Sequence, residues 1–149
     1  MRQFSSTREV AHTAQQMFDL VADVEAYPDF LPLCESLTIE RCEQEGDHEV
    51  IIAHMRVGYK AISETFLSRV LINRDDLLIE VSYLEGPFSH LINRWAFQDK
   101  DNGRSDVEFY LEYKFRNPGL QLLMGSMFDA AFNKFTESFE ARADEVYKT

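Results

Sequence analysis

The sequence has few of the residues that build disulfide frameworks or metal sites. It contains two cysteines, Cys34 and Cys42, in 149 residues, and they do not form a CxxC pair. The four histidines are scattered and lack the HxH or HxxxH spacing that presents two imidazoles to one metal ion. These absences exclude a disulfide scaffold, disfavour a metal site and indicate a reducing, cytoplasmic compartment.

Long apolar runs and an excess of positive charge are absent as well. No segment approaches the roughly 18 consecutive apolar residues of a membrane span, and the N-terminal segment lacks the apolar core of a secretory signal. The 15 Lys and Arg residues are outnumbered by 26 Asp and Glu residues, which gives a net charge of −11. This charge disfavours general binding to nucleic acid or anionic lipid, although it allows a local basic patch.

Catalytic motifs are missing too. The chain contains no GxSxG, P-loop or GxGxxG sequence. The carboxylates of Glu64, Glu80, Glu108 and Glu112 alternate with apolar residues, so we expect them on a solvated face. Acid or base catalysis would require one of them to point inward, and the sequence does not identify which. We therefore predict a protein that is not an enzyme and has no cofactor.

The residues that are present supply enough apolar material for one domain. Hydrophobic residues make up 45% of the chain and aromatic residues 13%, which is typical of a globular protein. A chain of 149 residues can bury a sizeable core but is too short for two domains. We predict a single domain over residues 1–149.

The longest predicted element is a helix from Asn117 to Tyr147. Asn117 suits the N-cap, Pro118 suits the first helical position, and no later proline interrupts the segment. Apolar residues recur at three- and four-residue spacing and form one stripe: Leu120, Met124, Met127, Phe128, Ala131, Phe135 and Phe139. This stripe either packs as ordinary core or partly lines a cavity for an apolar ligand.

Period-two alternation dominates the chain before this helix. Residues 3–10 form a first predicted strand, and Thr13 with Gln16 forms the capping box of a short helix. Pro28 and Pro32 interrupt the following apolar segment, which we expect to fold onto the core or to form a lip over a cavity. Six further strands are separated by turn residues, at 37–44, 48–57, 59–72, 77–84, 88–98 and 105–116.

The order of these elements defines the predicted fold. Helices are segregated from a run of strands with short connections, which is typical of the α+β class with an antiparallel sheet. We predict a curved antiparallel sheet of about seven strands wrapped around the long C-terminal helix, with two short helices after the first strand. Arg56, Lys60 and Arg69 lie on adjacent predicted strands and form either a small cationic rim or, as we expect, ordinary surface charge.

Several segments are distinctive in combination. They are AYPDFLPLCESL (26–37), GYKAISETFLSRV (58–70), GPFSHLINRWAFQ (86–98), VEFYLEYKFRNP (107–118) and AFNKFTESFEARA (131–143). Together they resemble the START-like helix-grip superfamily (START/Bet v 1-like fold), which includes polyketide cyclase/dehydrase-type domains. Within it, the chain is similar to bacterial members of the coenzyme-Q-binding START-domain family and the ribosome association toxin family.

The resemblance implies non-enzymatic binding of ubiquinone or a related polyprenyl lipid in an apolar tunnel between the sheet and the terminal helix. Such a protein supports respiratory electron transport or quinone delivery. The same resemblance implies two alternatives: a ribosome association toxin-type protein that binds the large ribosomal subunit, and a cyclase-type enzyme. Transient contact with a membrane surface is a further expectation, whereas binding to DNA is not expected.

The resemblance and the aromatic stripe together define the predicted ligand contacts. By similarity, Leu31 and Pro32 lie at the tunnel entrance, Lys60 supplies a polar or basic group and Trp95 supplies an indole from the sheet. Leu33 occupies a position where many relatives carry tryptophan. The predicted ligand-binding residues are Phe30, Leu31, Pro32, Lys60, Phe66, Tyr83, Phe88, Trp95, Phe97, Phe109, Leu111, Met124, Met127, Phe128 and Phe135.

Overall fold

Antiparallel strands form one sheet in the part of the chain that the structure describes. The structure is a computed structural model that describes residues 2–59 and 62–147, apart from the side chains of residues 59, 62 and 124. The strands are β1 (Arg2–Val10), β2 (Cys34–Glu45), β3 (His48–Tyr59), β4 (Ile62–Asn73), β5 (Leu78–Glu85), β6 (Phe88–Asp99) and β7 (Ser105–Phe115). Among these residues the sheet has seven strands in the order β1-β7-β6-β5-β4-β3-β2, which confirms the predicted α+β meander.

The elements after the first strand also follow the predicted order. Helix α1 (Ala14–Ala22) begins at a capping box, in which the Thr13 hydroxyl accepts from the Gln16 amide and the Gln16 side chain accepts from the Thr13 amide. A 3-10 helix (Val24–Asp29) follows, which confirms the two short helices expected at this point. A second 3-10 helix (Asp101–Gly103) connects β6 to β7.

Two helices cover the sheet at the C-terminal end of the chain. Helix α2 (Pro118–Asn133) begins as predicted, because the Asn117 side chain accepts a hydrogen bond from the Gly119 amide at 2.7 Å. Helix α3 (Phe135–Val146) follows it directly. The prediction of one continuous helix is therefore wrong at the single residue that separates them.

That residue is Lys134, and hydrogen bonding explains the break. The Lys134 amide donates to the carbonyl of Ala131, three residues earlier, at 3.0 Å. The Lys134 carbonyl then accepts from both the amide and the hydroxyl of Ser138, each at 2.9 Å. A serine hydroxyl bonded to the carbonyl four residues earlier often bends a helix. The regular helical hydrogen bonding is therefore interrupted at Lys134 without a proline or glycine.

The sheet presents one buried face to the helices. Along β7 the buried apolar side chains are those predicted from the alternation: Val107, Phe109, Leu111, Tyr113 and Phe115. Register shifts place extra residues in β2, β5 and β6 and mark β-bulges, and bulges bend strands and increase their twist. The buried face is therefore the concave face of a curved sheet.

Polar contacts tie α2 and α3 to the β1–β7 side of the sheet. Asp129 of α2 accepts from the Tyr113 hydroxyl at 2.7 Å and pairs with Arg2 at 2.6 Å. Glu140 of α3 pairs with Arg8 at 2.6 Å. Because Arg2 and Arg8 both belong to β1, this edge strand holds both helices in place.

Candidate functional site

A cavity lies between the concave face of the sheet and helices α2 and α3. Its volume is about 100 Å³. One water molecule needs roughly 10–15 Å³ of such space. The cavity is therefore several times larger than a defect that holds a single water.

The sheet forms one wall of this cavity. Alternating residues of β4, namely Phe66, Ser68 and Val70, face the cavity because successive side chains of a strand lie on opposite faces. The other sheet residues of the wall are Leu37, Ala53, Met55, Val57, Val81, Leu91, Asn93, Trp95, Phe109 and Leu111. Strands β2 to β7 thus contribute a continuous, largely apolar surface.

The helices and the segment before β2 close the other side. The two C-terminal helices contribute Phe128, Ala131, Phe132, Phe135 and Phe139. The segment between α1 and β2, extending to the first residue of β2, contributes Val24, Tyr27, Leu31, Pro32, Leu33 and Cys34. The Leu33 carbonyl accepts from the Gly58 amide at 3.0 Å, which joins this segment to β3. The segment expected to fold onto the core or to form a lip is thus part of the cavity wall.

Part of the cavity lining is open to solvent. Lining residues that keep part of their surface exposed lie before β2, on several strands and on α3: Pro32, Leu33, Leu37, Met55, Phe66, Val81 and Phe135. By contrast, Trp95 on β6 lines the cavity but is buried.

Many of the predicted ligand contacts come together around this cavity. Those that line it are Leu31, Pro32, Phe66, Trp95, Phe109, Leu111, Phe128 and Phe135. Pro32 is half-buried, whereas Leu31 is buried. Contact between these residues and a ligand stays a prediction.

Other predicted contacts are placed in the core but away from the cavity. These are Phe30, Tyr83, Phe88, Phe97 and Met127. Phe88 is fully buried and stacks on Phe115, with ring centres 4.9 Å apart. Phe97 packs edge-on against Phe18 at 5.8 Å. Alternation identified the inward face correctly, but it does not distinguish the packed part of that face from the hollow part.

The predicted cationic residues do not form a described part of the cavity. Lys60 lies outside the described residues, and so does the side chain of Met124. Arg56 pairs with Glu35 at 3.3 Å, and Arg69 pairs with a glutamate of β2. These pairs agree with the expectation that the two arginines are ordinary surface charge.

Polar groups in the lining were missed by sequence reasoning. They are Tyr27, Cys34, Ser68 and Asn93. The Tyr27 hydroxyl donates to the Val21 carbonyl, and burial raises the pKa of its phenol well above the ordinary value. Burial also raises the pKa of the Cys34 thiol to about 11. Both groups are therefore uncharged at neutral pH.

Asn93 holds the indole of Trp95 in place. Its side-chain oxygen accepts from the Trp95 ring nitrogen at 2.9 Å, and its amide nitrogen donates to the Tyr110 carbonyl at 2.9 Å. The Trp95 ring also packs against Phe109 and Phe139, with centres 4.8 and 5.0 Å apart. Trp95 is thus both cavity wall and structural core, so replacing it by alanine would disturb folding as well as any ligand contact.

The described lining is poor in groups that could catalyse a reaction. It includes no carboxylate, histidine or lysine. Glu80 and Glu108 are exposed, as expected, and Glu64 and Glu112 are partly exposed and outside the lining. Within residues 2–59 and 62–147, no three metal-binding side chains cluster together. Over the same ranges, no helix has the length and apolar character needed to cross a membrane.

Several relatives match nearly the whole chain, among them the following two. The chain is 34% identical over 151 residues to the ribosome association toxin RatA of Rickettsia prowazekii. The aligned region covers 99% of this chain and 100% of the relative. It is 30% identical over 143 residues to the mitochondrial coenzyme Q-binding protein COQ10 of Dictyostelium discoideum. The aligned region covers 95% of this chain and 68% of the relative. Both families suggested by the sequence segments are thus represented among its relatives.

Structural similarity and a family match agree with these relatives. The solution structure of an 18 kDa protein from Caulobacter crescentus has a TM-score of 0.79 and 32% identity to this chain, with 100% of both chains covered. The family described as polyketide cyclase / dehydrase and lipid transport matches residues 10–140. That match spans most of the chain, and the described residues form a seven-stranded sheet. The protein therefore belongs to this START-like polyketide cyclase / dehydrase and lipid transport family.

Proposed function

We propose that this protein binds ubiquinone or a related polyprenyl lipid and delivers it in support of respiratory electron transport. The observation that carries the proposal is the cavity between the sheet and the helices, which has a largely apolar lining that is partly open to solvent. The rings of Trp95, Phe109 and Phe135 present flat apolar surfaces that suit an aromatic or quinone ring. The relative named as a coenzyme Q-binding protein supports the choice of ligand class.

The energetics of packing favour a ligand in this cavity. Fully burying a phenylalanine side chain contributes roughly 1.5–3 kcal/mol. Phe66 and Phe135 line the cavity and remain partly exposed, so they forgo part of this stabilisation. An apolar ligand restores the missing contacts, because atoms that face a void lose their dispersion partners. Ligand binding therefore stabilises the folded protein.

The lining favours binding over catalysis. A cyclase-type enzyme on this fold requires an acid or base beside its substrate. In the described lining, Cys34 and Tyr27 carry raised pKa values, and both are neutral at physiological pH. The proposed role is accordingly that of a carrier rather than an enzyme.

The direct test is the lipid that accompanies the protein. The protein is purified without detergent from its native source, and its lipid extract is analysed by mass spectrometry. We expect a quinone or other polyprenyl lipid in near-stoichiometric amount. An unrelated acidic protein purified from the same cells in parallel should yield none. An extract free of such lipids would contradict the proposal.

Association with the large ribosomal subunit is a second candidate function. The observation that favours it is the 34% identity to a relative named as a ribosome association toxin. The net charge of −11 opposes it, because a protein that binds ribosomal RNA ordinarily uses an excess of Lys and Arg. This candidate predicts cosedimentation with large subunits at low salt that weakens as salt rises. Retention at the top of the gradient at low salt would exclude it.

The location and membrane contacts of the protein remain predictions. A polyprenyl lipid resides in a membrane, so its carrier must touch the bilayer to load. Leu122 and Leu123 in α2 are 87% and 68% exposed and offer apolar surface for such transient contact. The cytoplasmic compartment predicted from cysteine usage is consistent with a carrier that acts at the membrane surface.

A further inference from the structure

One polar group in the cavity wall has no partner among the described residues. Ser68 is 7% exposed and lies on β4 between Phe66 and Val70, on the strand face that lines the cavity. Its hydroxyl oxygen is buried and makes no hydrogen bond within the described chain. Burying an unsatisfied hydroxyl is unfavourable, and alanine would avoid the penalty while keeping the same apolar surroundings.

The other polar groups of the wall are already engaged. Asn93 accepts from Trp95 and donates to a backbone carbonyl. The Tyr27 hydroxyl donates to the Val21 carbonyl. The Cys34 thiol, a weak donor, points to the Ser36 carbonyl at 3.8 Å. Of these four side chains, Ser68 is the one whose polar atom makes no hydrogen bond within the described chain.

We infer that the Ser68 hydroxyl donates a hydrogen bond to an oxygen atom on the head group of the bound lipid. The inference rests on the proposed function and adds an orientation to it. The head group lies against the middle of the sheet, where Ser68 pairs with Ala53 on one side and Tyr83 on the other. The apolar tail then extends along the aromatic lining. Ala53, the residue paired with Ser68 on β3, also lines the cavity and has a small side chain.

The test compares two probes that share a tail but differ in oxygen. Decylubiquinone carries ring oxygens, whereas decylbenzene carries none. Affinities of both probes are measured by calorimetry for the unmodified protein, Ser68→Ala, Ser68→Thr and Ser105→Ala. Ser105 is the matched control, because its hydroxyl is also buried and without a partner in the described chain but lies outside the cavity lining. The infrared carbonyl band of bound decylubiquinone gives a second readout.

A hydrogen bond from Ser68 predicts a selective loss. Ser68→Ala should weaken decylubiquinone binding about two- to tenfold and leave decylbenzene unchanged. The carbonyl band should move to higher frequency in Ser68→Ala and stay in place in Ser68→Thr, which keeps the hydroxyl. Ser105→Ala should change neither affinity nor frequency. Thermal unfolding of both alanine variants should be no easier than that of the unmodified protein.

Other results would overturn the inference in distinguishable ways. Equal loss of both probes in Ser68→Ala would show a packing effect, and an unmoved carbonyl band would show that no hydrogen bond is made. Either result removes the role of Ser68 and leaves lipid binding intact. If the unmodified protein binds neither probe, the proposed function fails, and the role of Ser68 fails with it.

Discussion

Cys34 and Cys42 offer a pair of reporters at the scale of single residues. Cys34 lines the cavity and is buried, and its burial raises the pKa of its thiol to about 11. Cys42 is exposed. Because the thiolate is the reactive form, Cys34 should react with N-ethylmaleimide far more slowly than Cys42 at neutral pH. Its rate should then rise about tenfold per pH unit as the pH approaches its pKa.

Ligand binding should protect one cysteine and leave the other unchanged. With decylubiquinone bound, alkylation of Cys34 should slow at least severalfold, because the ligand blocks the path through the cavity. Alkylation of Cys42 in the same sample should keep its rate and serves as the internal control. Peptide mass spectrometry measures both rates. Equal protection of both cysteines, or of neither, would show that the ligand does not occupy this cavity.

The same scale shows where sequence reasoning about the site succeeds and where it fails. Trp95 and Phe109 could be placed on the inward face because their neighbours alternate in polarity. Ser68 was missed, although it lies on the same face of β4 as Phe66 and Val70. A serine in a strand more often lies on the solvent-exposed face than on a buried one. Phe88 looked equivalent to Phe66, but its ring is fully buried against Phe115 of β7 and Phe128 of α2.

Gly86 illustrates a constraint at the scale of the elements. It lies between β5 and β6 with φ +143°, and a Cβ atom at this position would lie 2.6 Å from the Cβ of Phe66 on β4. Gly86→Ala should therefore cost about 3 kcal/mol or more in unfolding free energy, since backbone strain alone costs about 1–3 kcal/mol. Chemical denaturation measures the loss. Because Phe66 lines the cavity, the displaced ring should also weaken decylubiquinone binding.

A second glycine separates the strain from the steric clash. Gly46, in the β2–β3 turn, has φ +63°, and a Cβ atom there would meet nothing within 4 Å. Gly46→Ala should cost only about 1–2 kcal/mol, the usual penalty of a left-handed conformation. It should leave ligand affinity unchanged. Equal losses in the two variants would mean that the contact with Phe66 adds nothing.

The elements themselves were largely predictable, and the exception has a local cause. The strands follow from alternation and turn residues, and α1 follows from its capping box. The break at Lys134 could not be predicted, because the apolar stripe continues from Phe128 to Phe139 with neither proline nor glycine near the break. The break coincides with a hydrogen bond from the Ser138 hydroxyl to the Lys134 carbonyl, one turn earlier, and serine occurs in many straight helices.

At the scale of the whole molecule, the order of the elements was sufficient to predict the fold but not the cavity. Composition and periodicity are the same whether aromatic side chains close a space or line it. The hollow arises from the combination of a curved sheet, helices held to the β1 edge and a segment joined to β3 through Leu33. Each of these features depends on residues far apart in the chain, so no pattern within a short stretch of sequence predicts the cavity.

A substitution that fills the cavity distinguishes a protein with a hollow interior from one with a fully packed core. Val81 lies on β5, lines the cavity and is half-buried, so a larger side chain there has empty space to occupy. Val81→Phe should keep or raise stability, by up to about 2 kcal/mol, as cavity-filling substitutions commonly do. It should also abolish decylubiquinone binding, because the ring takes the ligand's place. Thermal unfolding and calorimetry on one preparation measure both effects.

Val107 provides the contrast for this experiment, because it is buried on β7 and lies outside the cavity lining. Val107→Phe should lose about 1–3 kcal/mol of stability, since overpacking a closed region forces its neighbours apart. The two substitutions add the same atoms, so opposite effects on stability can come only from the space that receives them. If Val81→Phe destabilised the protein as much as Val107→Phe, the hollow would be closed in solution, and a carrier would have nowhere to hold its lipid.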